Sequence, residues 1–79
     1  MEKENILSEV QTIFRDILDN ENIVLKATTK ASEVKGWESL THLQLIVSIE
    51  KHFNIKFSSE EYFSWKNVGE IIDSIQIKL

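Results

Sequence analysis

The sequence predicts an all-α fold: a four-helix bundle of three main helices and one short helix, with a long loop between the first and second helices. Three observations predict it. Apolar residues recur at spacings of three and four in separate segments, the 79 residues include no proline, and capping residues precede the last two segments. A chain of this length forms one domain, residues 1–79, with a modest core and no deep active site.

The first helix is predicted over about residues 4 to 18, where the apolar residues fall on one face. Turn-forming residues end this pattern at positions 19–22. Residues 19–38 show no helical periodicity, which argues against a simple up-and-down bundle or indicates a functional loop. We expect the apolar side chains of this loop to reach the core, namely Ile23, Val24, Leu25 and Val34.

The second helix is predicted over about residues 39 to 52 and carries two apolar stripes. The expected core stripe consists of Leu45, Ile46, Ile49 and Phe53. A second stripe, rotated away from the first, consists of Leu40, Leu43 and Val47. This second stripe either packs against further helices or stays exposed for partner docking, and the sequence favours neither arrangement.

The last third of the chain contains an extended link and two capped helices. Residues 54–57 alternate polar and apolar, but a lone strand has nothing to pair with, so we expect a link whose Ile55 and Phe57 reach the core. Ser58 and Glu61 match a capping box that opens a short helix ending near residue 64 or 65. Asn67 caps the last helix.

Gly69 lies in the first turn of that last helix, whose apolar residues Val68, Ile71, Ile72 and Ile75 are expected in the core. Glycine costs a helix roughly 1 kcal/mol relative to alanine. We therefore expect the start of this helix to fray.

Composition excludes several classes of function. The net charge of −4 and the scattered basic residues disfavour nucleic-acid binding. The absence of cysteine excludes a disulfide framework and a thiol nucleophile, and His42 and His52 have no third ligand at a readable position, so no metal site is expected. With no signal peptide or membrane-spanning run, we expect a cytoplasmic monomer.

Ser39 is the leading candidate for chemistry. It follows the Gly36-Trp37-Glu38 turn and opens the second helix, where unpaired backbone N–H groups carry partial positive charge. A phosphate on this serine would meet favourable electrostatics. Local chemistry alone favours a simpler role for Ser39, that of a capping residue.

The segment around Ser39, Gly-Trp-Glu-Ser-Leu-Thr-His-Leu at residues 36–43, resembles the attachment motif of acyl carrier proteins, in the variant that reads Gly-Trp-Asp-Ser-Leu-Thr-His-Leu. The similarity continues through the second helix to residue 53, the link and short helix at 54–61, and the last helix at 67–75. It covers about residues 33–77 closely, and the first helix by pattern only. The chain thus looks like a discrete, stand-alone carrier of this family.

The resemblance implies an acyl-carrier-like bundle with a 4′-phosphopantetheine arm on Ser39. A separate magnesium-dependent phosphopantetheinyl transferase would transfer the arm from coenzyme A. The arm's terminal thiol would carry acyl groups as thioesters, so the chain itself would not be an enzyme. Its other implied partners are acyl-loading and acyl-processing enzymes.

The resemblance also implies roles for neighbouring residues. Glu38, where the family usually has Asp, would assist modification by helping to position the transferase's metal. We expect Val34 to supply the apolar anchor that usually comes from an Asp-Leu-Gly lead. The expected partner-binding residues are Trp37, Leu40, Leu43, Val47, Glu50, Glu60 and Glu61.

The second helix is less acidic than in typical fatty-acid carriers, with Thr41, His42, Gln44 and Lys51 at positions that are often acidic or neutral there. We therefore hypothesise a specialised biosynthetic pathway, because partners that read an acidic strip should bind less well.

Other functions stay open. An unmodified adaptor would dock through the second stripe. An aminoacyl or peptidyl carrier is less favoured, because the Leu-Gly-Gly lead is absent. A hydrolase using Ser39 and His42 has no third orienting group; we expect His42 at the rim of the core, bordering the place where an acyl chain would enter.

Overall fold

In the computed structural model, which describes residues 1–79, the chain forms four α-helices and no strand. Helix α1 spans Lys3–Ile17, α2 spans Ser39–Phe53, α3 spans Ser59–Ser64 and α4 spans Val68–Lys78. The predicted all-α fold of three main helices and one short helix is confirmed. The long α1–α2 loop also contains a 3₁₀ turn, Ala31–Glu33, which the sequence analysis did not predict.

Helix α1 is central and packs against both α2 and α4. Its face of Ile6, Val10 and Phe14 is completely buried. No polar or charged side chain lies in the core, so the three- and four-residue spacing of the apolar residues accounts for how these helices pack. The completely or almost completely buried residues of the other helices are Leu45, Ile49, Val68, Ile71 and Ile75.

The long loop sends alternate side chains into the core. Ile23 and Leu25 are buried, and Val34 packs against the core as expected, half-buried. The prediction for Val24 is wrong, because its side chain is 67% exposed. Successive side chains of an extended segment point to opposite sides, and the two neighbours of Val24 take the inward positions.

Polar side chains of α1 hold the start of this loop. The Gln11 side-chain oxygen accepts a hydrogen bond from the Leu25 N–H at 2.9 Å. Arg15 Nε donates to the Ile23 carbonyl oxygen at 2.8 Å. These bonds satisfy backbone groups that regular secondary structure does not pair, so the loop has a defined path along α1.

The start of α4 holds the middle of the same loop. Asn67 caps the helix by accepting from the Glu70 N–H at 3.0 Å. The Gly69 N–H donates to the Ala27 carbonyl oxygen at 2.8 Å, and a Cβ at position 69 would lie 2.9 Å from that oxygen. The glycine allows a close approach that ties the helix start to the loop, which argues against the expected fraying.

The link between α2 and α3 is extended, as predicted, and Glu50 organises it. Asn54 ends α2 in the left-handed region at φ 56°, a conformation that Asn tolerates at helix ends. The carboxylate of Glu50 accepts from the Phe57 N–H at 2.8 Å, and Phe57 is buried. The predicted Ser58–Glu61 capping box is present, with the Ser58 N–H donating to the Glu61 carboxylate at 2.9 Å.

The two ends of the chain lie together beside the start of α1. Lys3 and Asp73 form an ion pair at 2.8 Å. The Gln76 side-chain amide donates to the Met1 carbonyl oxygen at 3.2 Å. None of the helices combines the length and the apolar character that crossing a membrane requires.

Candidate functional site

Ser39 is the first helical residue of α2, and its side chain is exposed. The preceding turn contains Gly36 at φ 90°, a conformation that glycine adopts without strain. The N-cap position belongs to Glu38. The Ser39 hydroxyl takes no part in the hydrogen bonds that close this turn.

Thr41 supplies the side-chain bonds that hold this turn. Its hydroxyl oxygen accepts from the Glu38 N–H at 2.8 Å, and the hydroxyl donates to the Gly36 carbonyl oxygen. The capping interpretation of Ser39 is therefore not supported, since another hydroxyl fills that role. Sequence reasoning missed the role of Thr41, because the usual capping box has the hydroxyl residue at the N-cap and Glu or Gln three positions later, and here the two are reversed.

The first turn of α2 offers unpaired amides to an anion. The first α2 amide with a backbone partner is that of His42, which donates to the Glu38 carbonyl oxygen at 2.7 Å. The amides of residues 39–41 lie before it and form the positive end of the helix dipole. A phosphate ester on Ser39 therefore fits the chemistry of this helix end.

His42 is held by both ring nitrogens. Trp37 Nε1 donates to His42 Nδ1 at 2.9 Å, and His42 Nε2 lies 2.8 Å from the Tyr62 carbonyl oxygen. An indole N–H can only donate and a carbonyl oxygen can only accept, so Nδ1 acts as the acceptor and Nε2 as the donor. Neither nitrogen is free to take a proton from Ser39, which argues against a hydrolase.

Trp37, one of the residues expected to bind partners, lies almost entirely inside the bundle. Its side chain is only 8% exposed, and its ring meets Phe14 edge-on with centroids 4.9 Å apart. The large apolar ring gains from burial, and the hydrogen bond to His42 satisfies its N–H there. Adjacency to an exposed serine in the sequence did not reveal this inward direction.

The second stripe of α2 lies on the surface. Leu40 is 70% exposed, Leu43 42% and Val47 48%. Together with Ile17 and Lys51 they line an open groove. Of the two arrangements that the sequence left open, the structure shows the exposed one.

The acidic residues expected to bind partners differ in their exposure and in the bonds they already make within the chain. Glu38 and Glu60 are exposed. Glu50 is half-buried and caps the Phe57 N–H. Glu61 is also half-buried; the backbone N–H of Ser58, and then the Lys78 ammonium, hold the pKa of its carboxyl below the ordinary value.

A depression of about 280 Å³ lies beside Ser39, between the start of α2 and α3. Its lining includes Trp37 and His42 on one side and Tyr62, Phe63 and Trp65 on the other. His42 thus borders the core next to Ser39, as the sequence analysis expected. No group of three or more potential metal-ligating side chains comes together anywhere in the chain.

An all-α bundle that presents an exposed serine at the start of α2 has the form of a carrier. The family model described as "Phosphopantetheine attachment site" matches residues 8–75. An acyl carrier protein of Coprothermobacter proteolyticus is 28% identical over 79 residues, which are 100% of this chain and 96% of the relative.

A solved structure agrees with these sequence matches. The solution NMR structure of the holo acyl carrier protein from Geobacter metallireducens has a TM-score of 0.85 and 42% sequence identity, over 91% of this chain and 83% of that chain. The chain therefore belongs to the acyl carrier protein family, the carriers with a phosphopantetheine attachment site, and its prosthetic group is 4′-phosphopantetheine. The resemblance found in the sequence is confirmed.

Proposed function

We propose that this chain carries acyl intermediates as thioesters on a 4′-phosphopantetheine arm attached to Ser39. The observation that carries the proposal is the exposed Ser39 hydroxyl at the first turn of α2, left free because Thr41 closes the turn. The arm supplies a terminal thiol, which this cysteine-free chain otherwise lacks.

Attachment is a group transfer to the Ser39 oxygen. An O–P bond forms from that oxygen to the phosphate of the pantetheine half of coenzyme A. The pyrophosphate P–O bond breaks, adenosine 3′,5′-bisphosphate leaves, and the hydroxyl proton passes to a base of the transferase. His42 is not that base, because both of its ring nitrogens are engaged.

The residues around Ser39 prepare it for this transfer. Gly36 and Thr41 fix the turn, and the unpaired first-turn amides of α2 favour the phosphate ester that results. Glu38 is exposed beside the hydroxyl, where its carboxylate can reach a metal held by the transferase. Glutamate in place of the usual aspartate moves that carboxylate by one methylene.

The second stripe is the proposed docking surface for the transferase and for acyl-loading and acyl-processing enzymes. Leu40, Leu43 and Val47 offer apolar contact next to Ser39. Two of the acids expected to assist, Glu50 and Glu61, already bind groups of this chain. That leaves Glu38 and Glu60 as the exposed acids expected to assist, which supports a dedicated pathway over general fatty-acid synthesis; efficient turnover by the host's main fatty-acid enzymes would contradict this.

Intact mass spectrometry tests the attachment. We expect coenzyme A, magnesium and a broad-specificity transferase to add one phosphopantetheine to the wild type and none to Ser39→Ala. Ser59→Ala is the matched control, because Ser59 is also an exposed first residue of a helix, and it should be modified normally. No adduct on the wild type, under conditions that modify another carrier, would favour the unmodified adaptor.

A further inference from the structure

The second stripe of α2 continues beyond Val47 to Lys51. Positions 40, 43, 47 and 51 are three or four residues apart, so their side chains share one side of the helix. Lys51 is exposed and lines the same open groove as the three apolar residues. An apolar stripe that begins beside Ser39 thus ends in a cation, roughly 16 Å along the helix from Leu40 at about 1.5 Å per residue.

Lys51 is the only charged side chain in the lining of this groove. The other lining residues are neutral, namely Ile17, Leu40, Leu43, Gln44, Val47 and Ser48. Lys51 takes part in none of the ion pairs of the chain. A lysine stem covers apolar surface while its ammonium stays in water, so this cation is available to a partner that lies along the stripe.

The titratable neighbours of Lys51 on α2 bind groups of the chain itself. The Glu50 carboxylate accepts from the Phe57 N–H at 2.8 Å. His52 Nε2 lies 2.6 Å from the Glu9 carboxylate on α1. Although the chain has a net charge of −4, this side of α2 therefore presents a positive charge to a partner.

A simpler role for Lys51 is that of a base in the last turn of α2, where a positive charge interacts favourably with the helix dipole. That role would stabilise the helix equally whatever partner is bound. It would not make one docking enzyme bind better than another, so the two roles can be told apart by measurement.

We propose that Lys51 determines partner specificity: it favours acyl-loading or acyl-processing enzymes whose docking face carries a carboxylate beside an apolar ridge, and it disfavours enzymes whose face is basic there. The inference rests on the proposed attachment at Ser39 and docking along the second stripe. The apolar residues of the stripe offer contact to any such partner. The sign of the charge at the end of the groove then decides which partner fits, because like charges facing each other across an interface reduce affinity.

Malonyl transfer to the holo chain tests this. The probe is a malonyltransferase of fatty-acid synthesis, chosen because its carrier-binding face is basic, and intact mass follows the thioester that it forms from malonyl-coenzyme A. Lys51→Glu should raise kcat/KM about two- to fivefold over wild type, through KM, which is the size of effect that one exposed ion pair supplies. High salt should reduce this gain, because it screens exposed charges.

Lys56→Glu is the matched control, because Lys56 is also exposed but lies in the link after α2 and outside the groove. It makes the same change in net charge and should load at the wild-type rate. The favourable half of the proposal is tested by changing each basic residue on the carrier-binding face of the probe, in turn, to glutamate. At least one of these enzyme variants should load the wild type faster than it loads Lys51→Glu.

Equal loading of Lys51→Glu and Lys56→Glu would overturn the proposal, and so would a set of enzyme variants in which none prefers the wild type. Urea unfolding of both chains measures the dipole contribution; lower stability of Lys51→Glu with unchanged loading assigns Lys51 to the helix alone. Intact mass before loading separates the two hypotheses. An unmodified wild type refutes attachment at Ser39 and the selection with it, whereas a holo protein whose loading is indifferent to residue 51 refutes only the selection.

Discussion

The hydroxyl of Thr41 offers a direct test of how the chain presents Ser39. Thr41→Val keeps the branched shape and removes only the hydroxyl. The variant loses the bond from the Glu38 N–H, 2.8 Å long, and the bond to the Gly36 carbonyl oxygen. The turn that carries Ser39 then has no side chain to close it.

The expected loss follows from the two bonds. Each contributes about 0.5–1.5 kcal/mol net, and water replaces part of this because the site is exposed. We therefore expect the free energy of unfolding to fall by about 1–2 kcal/mol, in line with the ~0.5–2 kcal/mol cost of losing a helix cap. For a domain of this size, 1 kcal/mol corresponds to roughly 4–8 °C in Tm.

Urea unfolding followed by tryptophan fluorescence measures the stability of Thr41→Val, and intact mass over time measures its rate of phosphopantetheine attachment. The attachment rate should fall, because Ser39 no longer sits in a fixed turn. Thr12→Val is the control, since the Thr12 hydroxyl donates to the Ser8 carbonyl oxygen on the exposed face of α1; its stability should change by no more than about 0.5 kcal/mol. Wild-type stability and rate in Thr41→Val would refute the role of this hydroxyl.

Three further changes are predicted. Gly69→Ala should lower Tm although alanine favours helix by about 1 kcal/mol, because its Cβ would meet the Ala27 oxygen at 2.9 Å; a higher Tm would contradict this packing. Glu61→Gln should reduce the loss of stability between pH 6 and pH 3 in urea titrations. The Ser58 N–H lowers the pKa of Glu61 in the folded chain. The stabilisation that ionised Glu61 gives the fold is therefore complete above the ordinary glutamate pKa of about 4.3 and is lost as the pH falls through the lower pKa of the folded state. Equal losses of stability in wild type and Glu61→Gln would refute this role. Leu40→Ser should change stability by less than about 0.5 kcal/mol, since Leu40 is 70% exposed, yet slow attachment in a mass time course; an unchanged rate would remove it from the docking surface.

Helices and caps were predictable because their causes are local. The Ser58–Glu61 box joins residues only three apart, and apolar spacing shows which face of a helix is buried. The α1–α2 loop was harder to predict. The exposure of Val24 and the close approach of Gly69 to Ala27 depend on the path of the loop, which no short sequence window contains.

The candidate site also has some features that the sequence predicts and others that only the folded chain shows. The position of Ser39 at a helix start was readable from the turn before it. The inward direction of Trp37 was not, because it depends on the acceptor His42 and on contact with Phe14. The engagement of His42 Nε2 also depends on Tyr62, twenty residues away in the sequence, so only the folded chain shows that this ring is unavailable as a base.

The meeting of both chain ends at the start of α1 has a practical consequence. Leu18, just past the far end of α1, lies near Gly36, so the turn bearing Ser39 sits at the opposite pole. The 15 residues of α1 separate the two poles by about 22 Å at 1.5 Å per residue. An affinity tag, a fluorophore or a surface tether joined at either end would leave the serine pole unobstructed, so an immobilised form of this chain should still be reached by its enzymes.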